Sequence, residues 1–112
     1  MLLLNGVIMY IIEETEIFSE WLDNLNDQMA VVAIVSRIDR AKQGNFGDHK
    51  SVGDGVYEMR ITKGKGYRIY YARKGEITYI LTNGGDKSTQ SQDIDKAKQL
   101  WQQIKQELKN DH

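Results

Sequence analysis

Arg60, Lys63, Lys65 and Arg68 crowd the stretch MRITKGKGYRIYY, residues 59–71 of a 112-residue chain. Apolar and aromatic residues alternate there as in a half-buried hairpin, so residues two apart share a face: Glu58 with Arg60 on one strand, Arg68 with Tyr70 on the next. Met59, Ile61, Ile69 and Tyr71 take the opposite face. In the register suggested by the TKGKG connection the polar sets lie side by side, with Lys63 and Lys65 at the turn, and an arginine pair so placed can grip phosphate oxygens bidentately. The same residues admit a plainer reading, in which Arg60 pairs with Glu58 or another carboxylate on a solvated face and the turn lysines serve solubility.

A second stretch, GGDKSTQ from Gly84, places an acceptor or base (Asp86), a cation (Lys87) and a hydroxyl (Ser88) after glycines that let backbone amides approach an anion. The G-x-x-x-x-G-K-[ST] spacing of a phosphate-binding loop is absent, which argues against nucleotide hydrolysis; alone, the segment reads as a turn and helix cap. Among the tyrosines at 57, 67, 70, 71 and 79, Tyr70 shares a face with Arg68 and is the candidate for stacking on a base, the others reading as packing. His49 and Lys50 lie in a glycine-rich segment, where they could reach a phosphate, carry a proton or simply be solvated.

Charge is segregated along the chain. Residues 1–36 hold six acidic and no basic residues, residues 37–74 ten basic and four acidic, and residues 75–112 five basic and six acidic, so a net charge of -1 conceals a basic middle third, the pattern of an anion-binding face. That near-neutral total argues against a protein that coats nucleic acid indiscriminately. No apolar run approaches the roughly 20 residues that cross a bilayer. The absence of cysteine fits a reducing cytoplasm, and the two histidines, His49 and His112, are too few for a His/Cys zinc site, so neither metal nor cofactor is expected. MLLLNGVI lacks the features of a secretory signal; with an internal start at Met9, residues 1–8 read as a non-essential extension.

The elements that must position these residues follow from periodicity. Val7 to Ile12 reads as a strand, and Ile17, Phe18, Trp21, Leu22 and Leu25 as one face of a helix opening near Thr15. Asn26 or Asp27 caps a second helix with Val31, Val35, Ile38 and Ala41 inward, ending at Gly44. GNFGDHKSVGDG, residues 44–55, reads as a loop. Strands follow at Val56–Ile61, Tyr67–Arg73 and Ile77–Thr82, then a helix with Ile94, Ala97, Leu100, Trp101, Ile104 and Leu108 on one side, opened by a capping box of Thr89 and Gln92. The order β-α-α-β-β-β-α describes a single α+β domain over residues 1–112, with a mostly antiparallel sheet whose helices cover one side and leave the other for a ligand.

From Phe18 to Lys105 the chain resembles the RelE/HigB-type toxins of bacterial type II toxin-antitoxin modules, in the addiction-module killer branch. The series MRI…GYRIYY…GGDKS carries the likeness. The resemblance implies a twisted RelE/ParE-like sheet with two N-terminal helices and a C-terminal helix, whose basic face enters the ribosome and cuts messenger RNA there. It implies metal-independent chemistry, with Arg60 and Arg68 holding the phosphate and Lys87 placed where relatives carry an acid or base, supported by Lys50, Tyr70 and Asp86. Relatives often have histidine or tyrosine near that last position; Asp-Lys-Ser here leaves the general base open. A helix-turn-helix antitoxin encoded nearby, a heterotetrameric complex with it, and a cytoplasmic location are implied as well. Two other functions remain open on the sequence: gyrase inhibition without catalysis, as by ParE proteins of the same architecture, and general RNA binding.

Overall fold

A computed structural model describes residues 2–4 and 7–111, with side chains from residue 8 onward. His112 and part of the expected 1–8 extension lie outside the described residues. Within that extension β1 (Leu2–Leu4) pairs antiparallel with β2 (Val7–Met9) as a separate two-stranded ribbon. The strand expected over 7–12 therefore divides at Tyr10, whose amide donates to the Lys42 carbonyl at 2.7 Å and whose ring stands edge-on to Tyr79 at 5.4 Å.

The main sheet begins with β3 (Ile11–Glu14), which feeds α1 (Glu16–Asp23) and then α2 (Gln28–Lys42). Thr15 caps α1 by accepting from the Phe18 amide at 3.0 Å and ties it to the sheet by donating to the Thr82 carbonyl at 2.6 Å. Asp27 caps α2 through the Ala30 amide at 3.1 Å. The inward stripe of α2 is Ala30, Ile34, Arg37, Ile38 and Ala41, whereas Val35, expected inside, is 43% exposed. An apolar-only reading misses this phase because Arg37 occupies the stripe; its guanidinium donates to the carbonyls of Arg60 (2.6 Å), Phe46 (2.9 Å) and Asp48 (3.2 Å), which makes burial tolerable.

The glycine-rich segment is not all loop. Its middle is β4 (His49–Gly53), joined to β5 (Val56–Ile61) through Asp54-Gly55. Both turn residues have positive φ, 55° and 83°, the requirement of a two-residue hairpin matched to the strand twist. β6 (Tyr67–Arg73) and β7 (Thr78–Gly85) complete an antiparallel run, and β3 adds parallel to β7, giving the order β3-β7-β6-β5-β4. A 3-10 turn, η1 (Lys87–Thr89), then leads into α3 (Gln90–Asn110). The expected Thr89 capping box does not form: Asp86 caps the turn through the Ser88 amide at 2.8 Å, and Thr89 donates to Asp93.

The α+β architecture is present and the expected β-α-α-β-β-β-α elements occur in that order, with β1, β2 and β4 added, but the helices do not share one side. α1 and α2 cover Met59, Ile61, Ile69, Tyr71 and Leu81, while α3 lays Ala97 and Trp101 against Val56, Tyr70, Ala72 and Ile80 on the opposite face. Full burial of each large apolar side chain contributes about 1.5–3 kcal/mol, so both faces stabilise the sheet. What stays open on the α3 side is the end where β6 begins and α3 has only just started. Among the described residues, no helix is long and apolar enough to cross a membrane.

Candidate functional site

β5 and β6 pair with Arg60 opposite Arg68 and Glu58 opposite Tyr70, so these four side chains project together on the α3 side. Like charges directly opposed across a ladder are destabilising, and each arginine has found a different partial remedy. Arg60, 40% exposed in its side chain, places Nη2 at 3.4 Å from Asp48. Arg68, 11% exposed, sits with Nε 3.6 Å from the Glu58 carboxylate, which is itself fully buried. Of the partners considered from sequence for Arg60, Glu58 or another carboxylate, the structure supplies the second, Asp48, on an exposed face. Glu58 goes to Arg68 instead, because it lies under the start of α3, where Gln90 Nε2 donates to Oε2 at 2.9 Å.

These bonds leave the cluster short of partners. Among the described residues, the buried side-chain polar atoms without a hydrogen bond are Arg37 Nε, Glu58 Oε1, Arg60 Nε, Arg68 Nε and Tyr70 OH, and all but the first belong to the four cross-strand neighbours. Folded proteins pair nearly all such atoms, so this concentration of exceptions makes the four neighbours the candidate site. Burial, reinforced by the Glu58 charge, pushes the Tyr70 hydroxyl well above the usual phenol range.

A groove of about 360 Å³ opens beside the cluster, lined by Asp48, Arg60, Thr62, Lys65, Tyr67, Arg68 and Lys87 among others. Lys87, exposed in η1, lies across from the β5–β6 turn, close enough that a Cβ added at Gly66 would come within 3.6 Å of its own Cβ. Gly66 has φ +75°, a conformation that suits glycine and lets the turn fold back toward Lys87. The structure therefore brings together Arg60, Arg68, Lys87 and Lys65. A groove of about 490 Å³ along the second half of α3 is larger but holds none of the unpartnered buried atoms.

The remaining sequence candidates are placed elsewhere. Tyr70 has 0% exposure, sealed under α3 with Val56 and Trp101, and cannot stack on a base. Lys63 points to the far side of the turn, beside Arg37 and Arg40 of α2. Asp86 lines a neighbouring cleft with Trp21, Asp27 and Lys65, and hydrogen bonds from the Ser88 hydroxyl and amide hold its carboxyl below the usual range, which fits a cap rather than a proton acceptor. Lys50 is an exposed strand residue of β4, not a loop residue, paired with Glu58 and so on the site's face of the sheet but outside the groove lining. Gly84 and Gly85 do not free amides for an anion: a Cβ would overlap the Trp21 indole at the first and Asp93 at the second.

Sequence reasoning missed Glu58, Gln90, Asp48 and Arg37 as parts of the site. Glu58 carried a signal, an acid alternating with Arg60 inside an otherwise apolar strand. Asp54-Gly55 signalled the hairpin that brings Asp48 beside Arg60. Gln90 and Arg37 gave no local sign, since each acts through a contact with a distant strand.

The arrangement suits a polyanion backbone: two guanidinium groups in a shallow groove, an ammonium group at its rim, and a buried carboxylate that fixes the inner guanidinium without occupying the groove. Comparison with known proteins finds a relative and a family. An uncharacterized protein of Haemophilus influenzae is 47% identical over 93 residues, 83% of this chain and 94% of the relative. Residues 20–102 match the family described as phage derived protein Gp49-like (DUF891), a span that includes every groove residue. The chain belongs to that Gp49-like family, a family of toxins from toxin-antitoxin modules related to the RelE-like toxins.

Proposed function

We propose that the protein is a single-domain endoribonuclease toxin that cuts messenger RNA on the ribosome and is held inactive by its antitoxin. The observation that carries this reading is the Arg60–Arg68 pair, two opposed cations whose Nε atoms make no hydrogen bond, at one groove that also holds Lys87. A phosphodiester relieves that repulsion, its non-bridging oxygens accepting from both guanidinium groups. The Arg60–Asp48 contact, long and exposed, is of the kind worth at most about 1 kcal/mol and yields readily to a phosphate.

In the reaction the ribose 2′-hydroxyl gives its proton to a base and its oxygen attacks the adjacent phosphorus. The bond from phosphorus to O5′ breaks and O5′ takes a proton, leaving a 2′,3′-cyclic phosphate and a 5′-hydroxyl. Negative charge grows on the non-bridging oxygens, and donors fixed beforehand stabilise it; loss of one such donor typically costs about 10²–10³-fold in rate. Lys87 is suited to protonate the leaving oxygen. Glu58, sealed from solvent, acts as a positioning residue for Arg68. Proton transfer contributes only about 10²–10⁴-fold, so alignment of the RNA supplies much of the rate. The ribosome suits that role, and cleavage of free RNA is expected to be slow. The partner would be a helix-turn-helix antitoxin encoded nearby, in a heterotetramer that represses its own operon, all within the cytoplasm.

Mapping transcript ends after expression tests the reading. Cuts inside translated codons, absent with Arg68→Ala and Lys87→Ala, support it. Intact transcripts with DNA damage would assign the protein to gyrase inhibition instead, and full toxicity of both folded variants would reject the residue roles.

A further inference from the structure

The opposite face of the sheet carries a second recess, about 210 Å³, lined by Phe46, His49, Tyr57, Tyr71, Arg73 and Tyr79. Phe46 and Tyr57 both stack on Tyr71, with centroids at 5.2 and 5.6 Å and planes 11° and 25° apart, so the rings brace one another. Tyr57 is nonetheless 37% exposed. The two cationic or proton-binding groups of the lining, Arg73 and His49, are accompanied by no carboxylate. Arg73 is held by the carbonyls of Gly75 and Glu76, and its guanidinium lies 5.7 Å over the Tyr79 ring. Every lining residue except Tyr79 belongs to the basic middle third of the chain.

We infer that this cleft takes one unpaired nucleobase of the RNA strand whose backbone lies in the Arg60–Arg68 groove. The inference rests on the nuclease reading and deepens it by adding a base-binding subsite. Ring faces bind any base by stacking, and neighbouring cations favour the polyanion to which a base is attached. An aromatic side chain of a protein partner would also find ring surface here, but the lining's lack of carboxylates and its place in the basic segment favour nucleic acid. The two sites are joined at the sheet edge. β4 is the outermost strand, and its neighbouring residues His49 and Lys50 point to opposite faces, His49 into the cleft and Lys50 to the groove side. A strand of RNA passing over this edge leaves its backbone near Lys50 and turns a base in beside His49.

The test uses a labelled 2′-O-methyl RNA oligonucleotide, which cannot be cleaved, and fluorescence anisotropy at low salt. Tyr57→Ala should weaken binding about tenfold, the effect of losing one stacked base, while Tyr57→Phe keeps the ring and the affinity. Moving an abasic site along the oligonucleotide should reveal one position that weakens binding to wild type but not to Tyr57→Ala, a readout that loss of folding would not imitate. Equal affinity of wild type and Tyr57→Ala overturns the proposal, as does release of the antitoxin by Tyr57→Ala at unchanged oligonucleotide affinity, which would assign the cleft to a protein. Arg60→Ala separates the two readings. Loss of binding in Arg60→Ala alone overturns the cleft and leaves the groove; loss in Tyr57→Ala alone supports the cleft as a base site and overturns the groove.

Discussion

On the face that β5 and β6 turn toward α1 and α2, Met59, Ile61, Ile69 and Tyr71 are at most 4% exposed, and the same strands turn Glu58, Arg68 and Tyr70 toward α3 at 9% or less. Burial is equal; chemistry is not. The first face gains dispersion and hydrophobic free energy from every contact. The second takes charges and a phenol out of water and then leaves Glu58 Oε1, Arg68 Nε and Tyr70 OH without hydrogen bonds. A sheet can hold such a cluster because the apolar face on its other side stabilises the strands that carry it. The difference teaches that depth of burial does not tell the two faces apart, whereas the chemistry of what is buried and how fully it is hydrogen-bonded does.

The comparison can be broken most sharply at Arg68. Arg68→Ala should lower RNA cleavage by about 10²–10³-fold and strand the buried Glu58 carboxylate, a loss of about 3–5 kcal/mol in denaturant unfolding. Replacing the pair together, Glu58→Leu with Arg68→Leu, should recover most of that stability and none of the activity. On the apolar face, Ile69→Ala should cost about 2–5 kcal/mol while leaving the activity of the folded fraction intact. If both faces responded alike, the distinction between them would fall.

Arg60→Ala sharpens the contrast from the other side: its exposed pair with Asp48 predicts a stability change below about 1 kcal/mol, measured by thermal unfolding, together with a large loss of cleavage. The smallest change is expected of Tyr70→Phe. Removing an unpartnered hydroxyl should leave stability unchanged or slightly higher near neutral pH. The folded state raises the Tyr70 pKa above 10, its value in the unfolded chain, so its contribution is complete below pH 10 and is lost as pH rises beyond it. Alkaline unfolding should therefore be less steep in Tyr70→Phe than in wild type.

Much of this was legible in residue order. Alternation around Glu58, Arg60, Arg68 and Tyr70 announced which side chains share a face, because a pleated strand permits only two directions, and the short TKGKG connection implied the antiparallel register that sets Arg60 against Arg68. The phase of α2 was not legible, because a buried arginine hides within its stripe and its partners are carbonyls from distant residues. β4 hid for a different reason: the glycines that form its turns also resemble a loop, although Asp54-Gly55 was a hairpin signal.

By itself, then, the sequence determined the three helices, the β5–β6–β7 meander, their order and the gathering of positive charge in the middle third, since these follow from periodicity and composition along the chain. Tertiary structure alone decided that α3 closes over Tyr70, that Glu58 fixes Arg68 while Asp48 takes Arg60, and that Lys87 meets them at one groove while Lys63 turns away. Those outcomes depend on which helix covers which face and on where a turn folds back. Such contacts join residues far apart in the chain, and no local pattern encodes them.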